Sequence, residues 1–195
     1  REGVERAPNH LRERGLMRII RKNGHRAFDL GNLYVPLVSE ADKFARGRSL
    51  KYLDAIVEVN NNLAELVYDT LRGGAFPLVI GGDHSLGLGS ASGVGKSFDD
   101  FGIIWLDAHG DINTSETSPS GNIHGMPLSA LMGMGTGTRV CEGLMPDEFK
   151  DFVEHILFTN LIKSMDLVEL NPELDVNDQT TNLCLDIIDY ITARL

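Results

Sequence analysis

Two stretches of this chain end in the same abrupt way. "AFPLVI" (75–80) runs directly into "GGDHS" (81–85), and "FGIIWL" (101–106) runs directly into "DAHGD" (107–111). An apolar run without alternation has no face to show to water. As a strand it must be covered on both sides, which is the situation of a parallel sheet between helices. The sudden change to Gly, Asp and His marks the carboxyl end of each strand, where open α/β sheets bind ligands. "SMDLVEL" (164–170) repeats the pattern and is closed by Asn171-Pro172.

Helical periodicity fills the gaps between these runs. Residues 1–22 predict a helical stretch, "RAFDL" (26–30) a short strand, and Gly31-Asn32 a turn. From Ser49 to Leu71 a stripe of Leu53, Ile56, Val57, Leu63, Ala64, Val67 and Leu71 predicts a helix. Ser49 is the candidate N-cap and Gly73-Gly74 the stop. A further helix is expected from Pro146, with Phe149, Phe152, Val153, Ile156 and Leu157 on one face. The last is expected from about Gln179, with Leu183, Ile187, Ile188 and Ile191 facing inward. Strands alternating with helices predict a three-layer α/β fold, a mostly parallel sheet flanked by helices, in a single domain over 1–195.

Charge narrows the partners. The 28 acidic residues outnumber the 18 basic ones, for a net charge of −10. Nucleic acid and anionic membrane surfaces both call for a basic face, so neither is expected as a partner. Cys141 and Cys184 have no CxxC spacing, which fits a reduced, cytoplasmic protein. The apolar runs are too short to span a bilayer, and no leader pattern opens the sequence. It begins at Arg1 rather than Met, so it does not speak to any segment before that point.

The polar ends of the apolar runs carry the chemistry. Asp107, His109 and Asp111 alternate, so in an extended segment their side chains share one side. His84 follows the other run. Two carboxylates and two imidazoles with no cysteine suit Mn²⁺ or a similar ion better than structural zinc. Asp107 stands between His84 and His109 in chain order, well placed to bridge two cations through its two oxygens. Two cations held this way lower the pKa of a shared water toward neutrality. His10, His25 and His155 are read as ordinary structural histidines. Asp83, beside His84, has at most a supporting role, accepting a hydrogen bond from a ligand residue.

The motifs "GGDHS", "DAHGDINT" and "SGNIHGMP" resemble those of the ureohydrolases. The succession of "DINT" and "SGNIHG" is similar to the arginase family rather than to the agmatinases. "REGVERAPNHLR", "GTGTRVCEGL" and "SMDLVELNPEL" resemble further pieces of the same family, in the same order. The resemblance implies a binuclear manganese hydrolase that converts L-arginine and water to L-ornithine and urea. By the same resemblance His84 and Asp111 would bind one manganese, His109 the other, and Asp107 both. His124 would shuttle a proton to the leaving amine, and Glu169 would hold the guanidinium. Asn113, Ser120 and Asn122 would receive the α-amino and α-carboxylate end, although residues in such Ser/Thr/Pro-rich loops often serve only the turn. A homo-oligomer, trimer or hexamer, is also implied.

The sequence departs from the family in its metal ligands. The S-x-D-x-D-x-x-D-P segment that supplies two further aspartate ligands does not occur. "HGMPLSALMG" (124–133) passes almost directly into "GTGTRV" (135–140), so a stretch is expected to be missing near 133–136. One bridging carboxylate then remains where the family has two. Two other readings follow: a non-catalytic arginase-like protein with an incomplete metal site, or a ureohydrolase for another guanidino compound.

Overall fold

The run at 75–80 becomes strand β1 (Leu78–Ile80), and the run at 164–170 becomes strand β2 (Met165–Leu167). They pair in parallel, with Leu78 opposite Met165 and Ile80 opposite Leu167. The pairing continues past the strands proper: Gly81 N–H donates to Leu167 O (2.9 Å) and Glu169 N–H to Gly82 O (2.8 Å). The computed structural model describes residues 3–44, 49–107, 109–133, 154, 156–157, 159 and 161–195. The chain divides into two compact units, and each is described by itself.

The first unit comprises Arg1–Asn32, Leu78–Asp83 and Leu144–Leu195. Its helices are α1 (Ala7–Glu13), α2 (Leu16–Lys22) and, near the end of the chain, a fourteen-residue helix over Gln179–Thr192. The single helical stretch expected over 1–22 is in fact two helices. Gly15 adopts a left-handed conformation (φ 93°) that an α-helix cannot continue through, and α2 starts on it. Ala7, Leu11 and Leu16 pack with Leu167, Leu170, Leu185 and Ile188 to form the core. Ile188 is 1 % exposed. The carboxylate of Asp175 accepts the Thr180 and Thr181 amides (2.8 and 2.7 Å) and the Thr181 hydroxyl (2.6 Å), tying down the first turn of the last helix. These donors outweigh the opposing effect of burial and hold Asp175 down at a pKa of about 2.

The strand expected at 26–30 does not form. The Arg12 guanidinium grips Asp29 through two bonds (2.7 and 3.0 Å) and also reaches Asn32. Phe28 and Leu30 lie exposed on a polar-anchored loop. His10 Nε2 sits 3.5 Å from Asp178, and His25 bonds the Thr192 carbonyl (2.6 Å). Of the helix expected from Pro146, Pro146, Phe149, Phe152 and Val153 lie outside the described residues, as do His155 and Cys141. Ile156 and Leu157 are helical and Leu157 is buried.

The second unit comprises Leu33–Pro77 and His84–Gly143. It is built on α3 (Leu53–Arg72) and α4 (Gly87–Ser97), with the short α5 (Pro127–Leu131). The α4 glycines allow a close crossing. A Cβ on Gly89 would stand 2.7 Å from Asn60 O, and one on Gly93 would stand 2.6 Å from Ala64 O. Asn60 Oδ1 accepts the Gly89 amide, fixing the contact. Val59, Leu63, Ala64 and Val67 are buried, while Val57, placed on the inward stripe by periodicity, is exposed. Helix α3 starts after Tyr52, not at Ser49. Lys51 N–H donates to Gly121 O (2.9 Å) and Tyr52 N–H to Lys43 O (2.7 Å), so the preceding backbone is committed to other partners.

The run at 101–106 departs from expectation. No strand is assigned there, and Phe101, Ile103, Ile104 and Leu106 are all exposed, Ile104 to 53 %. The apolar pattern is that of a covered strand, but no strand pairs with it among the described residues. Among the described residues, no helix is long and apolar enough to cross a membrane.

Candidate metal centre

Three of the sequence-predicted ligands come together in the second unit. His84 opens the short 3-10 turn His84–Leu86, immediately after the β1 exit, and its ring stacks on Trp105 (4.0 Å between centroids, 14° between planes). This stack fixes the imidazole plane. Gly87 makes room for it, since a Cβ there would lie 2.7 Å from the Trp105 ring. His84 Nδ1 is 2.5 Å from Asp107 Oδ2 and 3.1 Å from Asp111 Oδ2. One ligand atom from each of His84, Asp107 and Asp111 lies within 4.8 Å of the others.

Asp107 faces both histidines, each with a different oxygen. Oδ2 meets His84, while Oδ1 accepts the His109 amide (2.9 Å) and lies 3.1 Å from His109 Nδ1. Asp107 thus presents one oxygen to each histidine. His109 itself stands apart from the three-residue group, with a side chain 75 % exposed.

Asp111 is buried at 6 % exposure and has a positive φ of 48°. Its carbonyl accepts the Leu128 and Ser129 amides (3.1 and 3.2 Å), so its backbone is locked to the start of α5. Its Oδ2, although near His84 Nδ1, receives no aligned hydrogen bond. A buried carboxylate oxygen without such a bond is costly, and a divalent cation removes that cost. The residues present therefore fit a metal ion.

The charges support each other. Burial works against a charged His84, but the Asp111 and Asp107 carboxylates outweigh it and raise the imidazole pKa above its ordinary value. Burial likewise opposes ionisation of Asp107, yet the His109 amide and the two imidazoles hold its carboxyl below the usual range. Negative potential concentrated on half-buried oxygens is what a cation needs.

The remaining candidates are placed as follows. His124 lies on the 3-10 turn Ile123–Gly125, which packs against the His84–Leu86 turn, and it is not part of the ligand group. Asn113 is held close by, its amide donating to Gly125 O (3.1 Å) and its carbonyl accepting from Ser129 Oγ (2.5 Å). Ser120 Oγ accepts the Asn122 amide (3.3 Å), a turn-forming bond. Glu169 belongs to the first unit, exposed at the end of β2 with a φ of 65°. Sequence reasoning missed two contributors. Trp105 was read only as an apolar strand residue, and Lys51, whose Nζ donates to Asn122 Oδ1 (3.0 Å), carried no motif signal at all.

Fold and site together define a class: an α/β protein with parallel strands and a histidine–aspartate group that could hold a cation. Comparison with known proteins narrows this. A family model described as "Arginase family" matches residues 1–134 and 128–193. The chain is 47 % identical over 135 residues to an arginase of Brevibacillus brevis, a match covering 69 % of this chain and 44 % of that one. It is 41 % identical over 147 residues to an arginase of Bacillus subtilis, covering 75 % and 48 %. A crystal structure of the Bacillus subtilis arginase superposes with a TM-score of 0.86 at 26 % identity, covering 98 % of this chain and 93 % of that one. An Entamoeba histolytica arginase solved in complex with L-ornithine shares the fold (TM-score 0.79, 22 % identity, 98 % and 92 % covered). The chain belongs to the arginase family. It spans less than half the length of these curated relatives in the matched sequence.

Proposed function

We propose that this chain is an arginase-type amidine hydrolase, taking L-arginine and water to L-ornithine and urea with manganese at the His84/Asp107/Asp111 site. The single observation that carries this reading is the placement of Asp107. It directs one oxygen to each of two histidines, beside a buried Asp111 oxygen that has no aligned donor. His84, Asp107, His109 and Asp111 would hold manganese, which would supply the Lewis-acid charge that makes solvent nucleophilic near neutral pH. His124 holds the proton for the departing nitrogen. Water adds through its oxygen to the guanidinium carbon and gives up both its protons, the bond from that carbon to the ornithine nitrogen breaks, and the two protons end on that nitrogen, leaving urea and the ornithine ammonium. Asn113, Ser120 and Asn122 take the amino-acid end. Glu169 is assigned the guanidinium by resemblance alone, through charge-assisted hydrogen bonds. The reading extends to a homo-oligomer and to a stretch of the family's chain missing near 133–136; residues 134–136 lie outside the described residues.

The exposure of His109, and the absence of the second aspartate motif, favour one rival: an arginase-like protein with an incomplete metal pair and no turnover. Manganese content by mass spectrometry, measured alongside urea release, separates the two. Two ions per chain with urea formed supports the hydrolase, and His124→Ala then lowers turnover while keeping the metal. One ion or none, with no urea, supports the rival. A preference for agmatine over arginine would redirect the proposal to another guanidino substrate.

A further inference from the structure

The loop that carries Asn113, Ser120 and Asn122 is gripped by a lysine from outside it. Lys51 reaches the loop twice: its amide donates to Gly121 O (2.9 Å), and its Nζ donates to Asn122 Oδ1 (3.0 Å). The approach is tight, because a Cβ on Gly121 would sit 2.2 Å from Ser49 O. Gly121 also has φ 69°, so glycine is favoured there twice over. Lys51 is half-buried, in the turn that leads into α3.

The chemistry of this contact is directional. An ammonium only donates, so the atom of Asn122 that faces it is the amide oxygen. The Asn122 NH₂ is thereby left to serve an acceptor elsewhere. The ammonium has three N–H donors, and one is used on Asn122. No carboxylate forms an ion pair with Lys51 among the described residues. Glu40 senses its charge, but Glu40 is already taken by Lys43 and by the Tyr52 hydroxyl. Glu116, the carboxylate within the loop, is exposed and draws no ion pair from Lys51. Asn113, Ser120 and Asn122 are all neutral. An ammonium beside that loop adds to a carboxylate the full opposite charge that neutral amides and hydroxyls lack.

We infer that Lys51 is a specificity-determining residue, the cation that selects ligands carrying an α-carboxylate at this loop, both directly and by fixing the Asn122 amide. This rests on the L-arginine reading above. Calorimetric titration of the manganese-loaded full chain with L-ornithine, and with putrescine as its decarboxylated counterpart, tests it. Lys51→Met is expected to weaken L-ornithine binding about tenfold or more while putrescine shifts by less than about twofold, and Lys51→Arg to retain L-ornithine binding. Equal losses for both ligands would mean that Lys51 merely props the loop, and would overturn the inference, as would unchanged L-ornithine binding in Lys51→Met. If the unsubstituted chain bound neither ligand, the L-arginine reading would fail and take the inference with it. If it bound L-ornithine and the Met variant matched it, the inference alone would fall.

Discussion

The runs at 75–80 and 101–106 are written in the same alphabet and meet different fates. The first finds β2, and the parallel ladder continues beyond the strands through Gly81 and Glu169. The second has no strand beside it among the described residues, and five of its six residues are exposed. Apolar composition sets what a segment requires; it does not supply the neighbour that meets the requirement. Both runs nevertheless deliver their polar tips to one place, since His84 leaves the first and Asp107 leaves the second. The site therefore draws on residues that follow one strand and on residues that follow a run with no strand assigned.

The contrast can be broken or sharpened by substitution. The largest effect is expected beneath the paired strands. Ile188→Ala removes a side chain 1 % exposed in the core that contains Leu167 and is expected to cost about 2–5 kcal/mol in urea unfolding. A loss below about 0.5 kcal/mol would show that this core is no better ordered than the exposed run. Next is the helix crossing beside the unpaired run. Gly93→Ala places a methyl 2.6 Å from Ala64 O and is expected to cost about 1–3 kcal/mol, read as a shift of the denaturant midpoint.

A smaller effect is set by pH in the first unit. The folded pKa of Asp175, about 2, lies below its ordinary 3.8. Its contribution is therefore whole above about pH 4 and is lost as the pH falls toward 2. Asp175→Asn is expected to remove about 1 kcal/mol at pH 7 and to flatten that acid slope; an unchanged slope refutes the assignment. The smallest effect belongs to the unpaired run. Ile104→Ser, at a position 53 % exposed, is expected to alter stability by less than about 0.5 kcal/mol while reducing self-association in sedimentation. A core-sized loss there would mean that the segment is covered in solution.

Much of this was legible from residue order, for reasons that differ by element. The strands at 78–80 and 165–167 and the helix at 179–192 follow from local pattern, because each pattern agrees with its surroundings. The split at Gly15 and the late start of α3 were not legible, since they depend on a backbone torsion and on amides captured by Lys43 and Gly121. The loop at 26–30 was misread because the hold of Arg12 on Asp29 spans seventeen positions and leaves no periodic trace. In the site, Asp107, His109 and Asp111 were visible as an alternation after one apolar run, and His84 as the polar end of another. The exposure of His109 and the reach of Lys51 were not, because both depend on how separate loops meet.

The left-handed backbone at Asp111 sets two demands against each other. Torsion alone would favour glycine and tolerate asparagine or aspartate at that point, and only the last brings a carboxylate. Among descendants of this sequence, an aspartate kept at 111 would thus be a signature of selection for the charge itself, and its drift to glycine an early mark of a lineage that has stopped using it.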